Sequence, residues 1–197
     1  MFMDYHSFIR EYIEQEKNAL TMVSINDLVK ATELLIKTQK SGGTIYTFGN
    51  GGSAATASHF QNDFNKGISE HTECKFNFFC LVDNIATVTA IANDISYDEI
   101  FRFQLQGRLH KNDIALAISG SGNSKNVILA AEYIKQQGNK VIGLTGYDGG
   151  QLKLISDISL HVPVNSMQIT EDVHMVFNHM IMAILYSAEC EINHLKR

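Results

Sequence analysis

The chain has 197 residues, of which 45% are hydrophobic and 19% are charged, and its formal net charge is -5 at pH 7. This composition excludes a disordered chain and suits one large globular domain with a sizeable core. The acidic balance argues against nucleic acid as a partner, and the apolar runs fall short of the roughly 20 residues that a membrane span needs.

The cysteines and the N-terminus bear on where the protein works. Cys74, Cys80 and Cys190 are scattered and form no close pair, which is typical of inert thiols in a reducing compartment. The first residues lack the basic and apolar regions of a signal peptide. We therefore expect a cytoplasmic protein without disulfides.

Two helices are predicted before the first strand. Apolar residues recur at helical spacing over Asp4–Met22 and again from about Ile25 to Gln39. Either Ser24 or Asn26 is suited to cap the second helix. Because both helices precede the strands, we expect them to cover one edge of the sheet or to build an oligomer interface.

Strands and helices then alternate to the end of the chain. The pattern predicts a parallel sheet with helices on both faces, in a domain over residues 41–197 to which residues 1–40 add a helical layer. The predicted strands are Thr44–Phe48, Phe76–Val82, Asp113–Ile118, Val141–Thr145 and Ile158–Val162. The predicted helices are Ser53–Phe64, Ile85–Ala92, about Tyr97–Leu109, Ser124–Gln137, Gln151–Ile155 and Thr170–Asn193.

A glycine-rich turn, Gly49–Ala54, joins the first strand to the next helix. A strand, a glycine turn and a helix start together form an anion-binding site, because free amide groups converge there. The G-x-G-x-x-A match suggests a dinucleotide, but Glu70 and Glu73 come before the second strand rather than at its end. No Gly-Lys-Ser/Thr follows the glycines either. We therefore expect no nucleotide cofactor.

A second such turn, Ser119–Ser124, follows the third strand. It offers three hydroxyls and two glycines at the start of a helix, which favours phosphate binding. The alternative is a plain flexible turn in which Ser124 caps the helix. In parallel sheets ligands lie beyond the carboxyl ends of the strands, and both turns follow strands.

Two helices carry groups that can move protons or hold a metal. His59 and Asp63 lie four residues apart on the helix after the first turn. The last helix is predicted to be capped by Thr170 and carries a polar stripe, and for His174 a purely structural role stays open. The polar stripe comprises Glu171, His174, Asn178 and His179.

The chain resembles the sugar isomerase (SIS) domain family, and in particular its phosphoheptose isomerase branch. Ser119–Ser124 after a buried strand resembles the phosphate loop of the family, and Gly49–Ala55 with His59-Phe60 resembles the branch. The resemblance spans roughly residues 5 to 190. Further motifs in matching order are Asn93-Asp94, Leu144–Gly146 with Asp148–Gly150, Val162-Pro163, Glu171–His174 and His179.

This resemblance implies a flavodoxin-like, three-layer α/β fold and a homotetramer with sites at subunit interfaces. It also implies conversion of sedoheptulose 7-phosphate to D-glycero-D-manno-heptose 7-phosphate through an enediol, in heptose synthesis for surface polysaccharide. The residues that it implies for substrate binding are Asn50, Gly51, Ser53, Asn93, Asp94, Ser119, Gly120, Ser121, Ser124 and Glu171.

By the same resemblance, Asp63 and His179 take the catalytic roles of proton base and proton shuttle. The family usually has Glu where this chain has Asp63, and the shorter side chain misplaces a base by about 1.5 Å unless the backbone compensates. Gln is common in place of Glu171. Some members of the branch bind one Zn²⁺ through the matching quartet, which here is His59, Asp63, Glu171 and His179.

Two other functions stay open at this point. The same loops suit isomerisation of another ketose phosphate, such as a ketohexose 6-phosphate. A non-catalytic tetramer, as in the SIS branch that binds the bacterial replication initiator, is the alternative from a different class, and the Asp63 departure keeps it open. A transcription regulator is disfavoured, because no DNA-reading segment precedes the SIS-like region and the net charge is negative.

Overall fold

The structure, a computed structural model, describes the backbone of residues 4–195 and the side chains of residues 4–188. Met1–Met3, on which the prediction about a signal peptide partly rests, and the side chain of Cys190 lie outside the described residues. Cys74 and Cys80 are free thiols, and burial raises the pKa of Cys80 to about 12, so its thiol stays protonated. Within residues 4–195, no helix is both long and apolar enough to cross a membrane.

Five parallel strands form one sheet in the order β2-β1-β3-β4-β5. In β1, Ile45 is paired with Phe78 of β2 on one side and with Ile114 of β3 on the other. This strand order is the flavodoxin-like one, so the predicted fold class is confirmed. The strands are β1 Ile45–Phe48, β2 Phe78–Cys80, β3 Ile114–Ser119, β4 Lys140–Thr145 and β5 Ile158–His161.

Helices connect the strands and cover both faces of the sheet. Two further helical segments are a π-helix that directly extends α3 and a 3₁₀ turn before α5. The α-helices are α1 Tyr5–Met22, α2 Ile25–Lys40, α3 Gly52–Asn62, α4 Ile85–Asp94, α5 Arg102–Leu105, α6 Lys125–Gln136, α7 Gly150–Ile155 and α8 Met167–Leu195. The π-helix is Asp63–Ile68 and the 3₁₀ turn is Tyr97–Glu99.

The sheet separates two hydrophobic clusters, because successive side chains of a strand point to opposite faces. Ile114, Leu116 and Ile118 of β3 pack with α2, α3 and α8, whereas Ala115 and Ala117 pack with α5, α6 and α7. The result is a three-layer arrangement of helices, sheet and helices. It places α3 and α8 in one layer and α6 in the other.

The two N-terminal helices belong to the α8 side of the molecule. Ser24 caps α2 as predicted, since its Oγ accepts a hydrogen bond from the Asp27 amide at 3.2 Å. On α1, Ala19 is fully buried, and the Tyr12 hydroxyl donates to Asp172 Oδ2 at 2.6 Å, which raises the pKa of Tyr12 to about 12. Residues 4–40 therefore pack onto the same core as the sheet.

Most predicted elements differ from the structure by one or two residues at their ends, and three show larger differences. The helix expected over Tyr97–Leu109 is wrong: the segment forms the 3₁₀ turn and the one-turn α5, and Gly107 has a φ of +72° that ends the helical backbone. The second strand is shorter than predicted, at three residues. Thr170 does not cap α8, because the helix begins three residues earlier and Thr170 is fully buried within it.

Candidate active site

The two glycine and serine turns meet at the point where the strand order reverses. β1 and β3 are neighbours, and the helices that follow them lie on opposite faces of the sheet, which opens a crevice at the carboxyl ends of these strands. A cavity of about 260 Å³ lies there. Its lining consists of Asn50, Gly51, Gly52, Ser53, Ile118, Ser119, Gly120, Ser121, Ser124, Met167 and Glu171.

Two helix N-termini with open amides face this cavity. α3 is preceded by Gly51, whose φ of +55° favours glycine and which has no side chain to cap the helix. Ser124 occupies the capping position of α6, yet its side chain does not cap the helix; instead Ser124 Oγ accepts from Ser119 Oγ at 3.1 Å. The crevice therefore combines hydroxyl groups with the positive ends of two helices, a pattern suited to phosphate.

A pair of hydrogen-bonded side-chain amides, from the partly buried Asn50 and the buried Asn126, joins the two turns. Asn50 Nδ2 donates to Asn126 Oδ1 at 2.8 Å, and Asn126 Nδ2 donates back to Asn50 Oδ1 at 2.9 Å. The Tyr97 hydroxyl donates to the same Asn50 oxygen at 2.9 Å. Much of the Asn50 amide is thus occupied within the chain, so Asn50 orients the turn. Sequence reasoning missed Asn126 and Tyr97, and the available signal was the amide of Asn126 in the first turn of a helix with an apolar face.

Hydrogen bonds join the Ser119–Ser124 turn to the glycine turn that follows β4 and to the start of α7. The Gly146 amide donates to the Gly120 carbonyl at 2.8 Å, and the Leu152 amide donates to the Gly122 carbonyl at 2.9 Å. The Asn123 side-chain oxygen accepts from the Gln151 amide at 3.1 Å. These contacts fix the shape of the serine turn without using its hydroxyl groups.

The cavity between the turns is one candidate centre, and a second lies at the C-terminal end of α3. This second centre surrounds one carboxylate oxygen, Asp63 Oδ2. It is 3.0 Å from His59 Nε2 and 3.9 Å from His179 Nε2, and the two histidine nitrogens are 3.4 Å apart. Asn178 Nδ2 also donates to this oxygen, at 2.5 Å. Asp63 is the first residue of the π-helix, a segment type often found at functional sites.

Three of the four predicted metal ligands come together. The ligand atoms of His59, Asp63 and His179 all lie within 4.8 Å of one another. Two imidazoles and one carboxylate are a donor set that suits zinc and leaves a position open. Glu171 does not join this cluster: a Cβ built on Gly52 would overlap the Glu171 carboxylate, which places that carboxylate at the N-terminus of α3 in the cavity between the two turns.

His174 is a structural histidine rather than part of either centre. It is 1% exposed, and its Nε2 lies 3.3 Å from the carbonyl oxygen of Thr145, to which the neutral ring donates. Burial lowers the pKa of His174 to about 4. The pKa of His161, whose Nδ1 lies 3.0 Å from Thr145 Oγ1, is also lowered by burial.

Asn93 and Asp94 lie apart from the lining of this cavity. Both are exposed at the end of α4, where Asn93 Nδ2 donates to Asp94 Oδ1 at 2.8 Å. The remaining predicted substrate-binding residues, Asn50, Gly51, Ser53, Glu171 and those of the Ser119–Ser124 turn, line it. A substrate role for Asn93 and Asp94 stays a prediction.

Comparisons with known proteins agree on one family. A family model described as "SIS domain" matches residues 5–146. The phosphoheptose isomerase of Aliarcobacter butzleri is 35% identical over 91% of this chain and 95% of its own length. The solved structure of phosphoheptose isomerase GmhA from Neisseria gonorrhoeae has a TM-score of 0.83 at 29% identity, covering 92% of this chain and 96% of its own. A phosphoheptose isomerase from Francisella tularensis has a TM-score of 0.86 at 27% identity, covering 93% and 98%.

Proposed function

The chain belongs to the SIS domain family and, within it, to the phosphoheptose isomerases, and on this basis we propose that it isomerises sedoheptulose 7-phosphate to D-glycero-D-manno-heptose 7-phosphate. The relatives matched over almost their whole length carry the name of this aldose–ketose isomerase. The observation that carries the proposal in the chain itself is the pairing of a crevice at the N-terminus of α3 with a His–Asp–His cluster at its C-terminal end, to which α8 adds His179.

The phosphate group is proposed to lie in the crevice between the two turns. Ser53, Ser119, Ser121 and Ser124 supply hydroxyl donors, and the open ends of α3 and α6 supply amides. Gly52 and His59 lie seven residues apart on α3, which corresponds to about 10 Å along the helix. An open-chain ketose phosphate carries its phosphate and its carbonyl at opposite ends and so can span both centres.

The proton transfers are assigned to Asp63 and His179. Asp63 takes the proton from the carbon beside the carbonyl, and His179 moves a proton between the two oxygens of the enediol. The Asp63 side chain is 13% exposed, which limits competition from water, while the contact with His59 orients it. The contacts around Asp63 Oδ2 thus supply both a base and a neighbouring imidazole.

Zn²⁺ fits the same cluster, held by His59, Asp63 and His179. A zinc ion there would polarise the substrate oxygens as a Lewis acid. Glu171, the fourth ligand implied by the resemblance, instead lies in the phosphate crevice, where its carboxylate can accept hydrogen bonds from sugar hydroxyls.

We further propose a cytoplasmic homotetramer with sites at subunit interfaces. The His179 side chain is 56% exposed, so a single chain leaves the catalytic centre open to water, and a neighbouring subunit would close it. The exposed Asn93 and Asp94 are then available to an adjacent site. The adaptor alternative is not favoured, because the relatives are named as isomerases and the proton-active residues are all present.

The proposal is tested by turnover of a panel of ketose phosphates, with and without a chelator, followed by NMR detection of the aldose. We expect turnover of sedoheptulose 7-phosphate in preference to ketohexose 6-phosphates. Asp63→Ala and His179→Ala should each lower kcat by at least about 100-fold, because each removes a proton-transfer group. Size-exclusion chromatography should show unchanged assembly. Full turnover in either variant would refute the assignment of that residue.

A further inference from the structure

Asn178 holds the Asp63 carboxylate, although the proposed mechanism gives it no role. It lies on α8 directly before His179, and its side chain is completely buried. Its Nδ2 group donates to Asp63 Oδ2 at 2.5 Å. Because an ionised carboxylate only accepts hydrogen bonds, the amino end of the amide must face Asp63.

Stability does not explain an amide at this position. With its nitrogen turned toward Asp63, the oxygen of Asn178 is buried and makes no hydrogen bond within the described part of the chain. A buried carbonyl oxygen without a partner destabilises a fold, whereas a leucine of similar shape carries no such cost. The amide therefore serves the carboxylate that it contacts rather than the helix packing.

Asp63 is a side chain for which such a contact matters. Its carboxylate is joined to the backbone through a single methylene group, so the direction of the carboxylate depends on the groups that contact it. Asn178 holds one oxygen from α8, and Asn62 Nδ2 donates to the other, Oδ1, at 3.2 Å. The two contacts fix the rotation of the carboxylate about its bond to the chain.

We propose that Asn178 is a positioning residue that orients the short carboxylate of Asp63 toward the reacting carbon atoms. The inference rests on the proposed function, in which Asp63 is the base. It adds a residue on α8 that acts only through Asp63, since Asn178 is not among the residues that line the phosphate crevice. A misdirected base slows the reaction without weakening phosphate binding.

Asn178→Leu separates this role from a structural one. We expect kcat to fall about 10- to 100-fold while KM changes by less than about twofold, since only the geometry of the base is disturbed. The midpoint of thermal unfolding should change little, because removal of the unpaired amide oxygen offsets the hydrogen bond that Asp63 loses, and His59 Nε2 remains 3.0 Å from the same carboxylate oxygen.

Asn139→Leu is the matched control. Asn139 is a similarly buried amide, 6% exposed, and its Nδ2 donates to the carbonyls of His110 and Asp113 at 2.7 and 2.8 Å. It lies just before β4, and its hydrogen-bond partners lie just before β3, outside the cluster of His59, Asp63 and His179. We expect this variant to lower the unfolding midpoint and to keep its kcat, the reverse of the Asn178 result.

A spectroscopic measurement tests the contact without any turnover. In ¹⁵N-labelled protein, the Asn178 side-chain amide proton that faces the carboxylate should resonate downfield and move upfield in Asp63→Asn, where the acceptor is neutral. An unmoved signal, or wild-type kcat in Asn178→Leu, would overturn the inference while leaving the proposed function in place. Absence of turnover in the unchanged protein would overturn the proposed function and the positioning role of Asn178, even if the amide signal reported the contact.

Discussion

At the scale of single residues, the proposed catalytic centre depends on the oxygen Asp63 Oδ2, on which nitrogen atoms from α3 and α8 converge. His59 and Asp63 were predictable because residues four apart share a helix face, and His179 was added by family resemblance. Asn178 was visible only as a member of a polar stripe. Sequence spacing places a residue on a face of its own helix, but not against a particular atom of another helix.

His174 gives a prediction about the pH dependence of stability. Its pKa is about 4 in the folded chain, against an ordinary value of 6.5, because the ring is buried. As pH falls from 6.5 to 4, the unfolded chain takes up a proton that the folded chain excludes, so the free energy of unfolding falls by up to about 3 kcal/mol from this residue.

His174→Gln isolates this contribution. Its amide nitrogen can still donate to the Thr145 carbonyl, but it does not titrate. Denaturant unfolding at several pH values should therefore show a shallower loss of stability between pH 6.5 and 4 in the variant than in the unchanged protein. Parallel pH profiles would contradict the buried neutral state of His174.

At the scale of elements, strands were predicted well and helix ends less well. The five strands are short apolar runs bounded by glycine and polar residues, and each was found. The expected helix over Tyr97–Leu109 failed because its buried residues, Ile100, Phe101 and Leu105, follow a helical period without forming a continuous helix. The π-helix after α3 has no sequence period of its own and was not predicted.

The packing of the serine turn on the glycine turn gives a prediction at this scale. A Cβ on Gly122, whose φ is +68°, would overlap the backbone of Gly149 and Gly150. Gly138 also has a positive φ, +82°, but a Cβ there would meet no atom within 4 Å. Gly138→Ala should therefore lower the free energy of unfolding through backbone strain alone, by about 1–2 kcal/mol.

In denaturant unfolding, Gly122→Ala should lower the free energy of unfolding by roughly 1–3 kcal/mol more than Gly138→Ala does, because fixed backbone atoms must move apart. It should also raise KM for the sugar phosphate, since the displaced turn carries the phosphate donors, whereas Gly138→Ala should leave KM unchanged. Equal unfolding free energies for the two variants would show that the turns are not packed as described.

At the scale of the whole molecule, α1 extends beyond the core that it helps to cover. The helix packs on the core through Tyr12, Ala19 and Leu20, but the same apolar stripe continues toward its N-terminus to the exposed Tyr5, Phe8 and Ile9. These three side chains are 57–70% exposed. A continuous apolar stripe of this kind is typical of an interface with another subunit and supports the proposed tetramer.

Phe8→Glu should therefore weaken the assembly, because it would place a charge in an apolar subunit contact. Light scattering coupled to size-exclusion chromatography would show a smaller species, and turnover should fall with it if sites lie between subunits. Glu14→Lys is the control on the same helix, since Glu14 is exposed and lies on the opposite side of α1 from Tyr5. An unchanged assembly in Phe8→Glu would remove α1 from the interface.

The sequence by itself determined the parallel α/β architecture, the two anion-binding turns and the pair His59 and Asp63, because these follow from local periodicity and turn chemistry. Only the tertiary structure decided which polar groups meet. It separated Glu171 from the His–Asp–His cluster, buried His174 and set Asn178 against Asp63. Such pairings depend on how α8 lies across α3, and the angle and register of two packed helices are set by the whole core rather than by either segment.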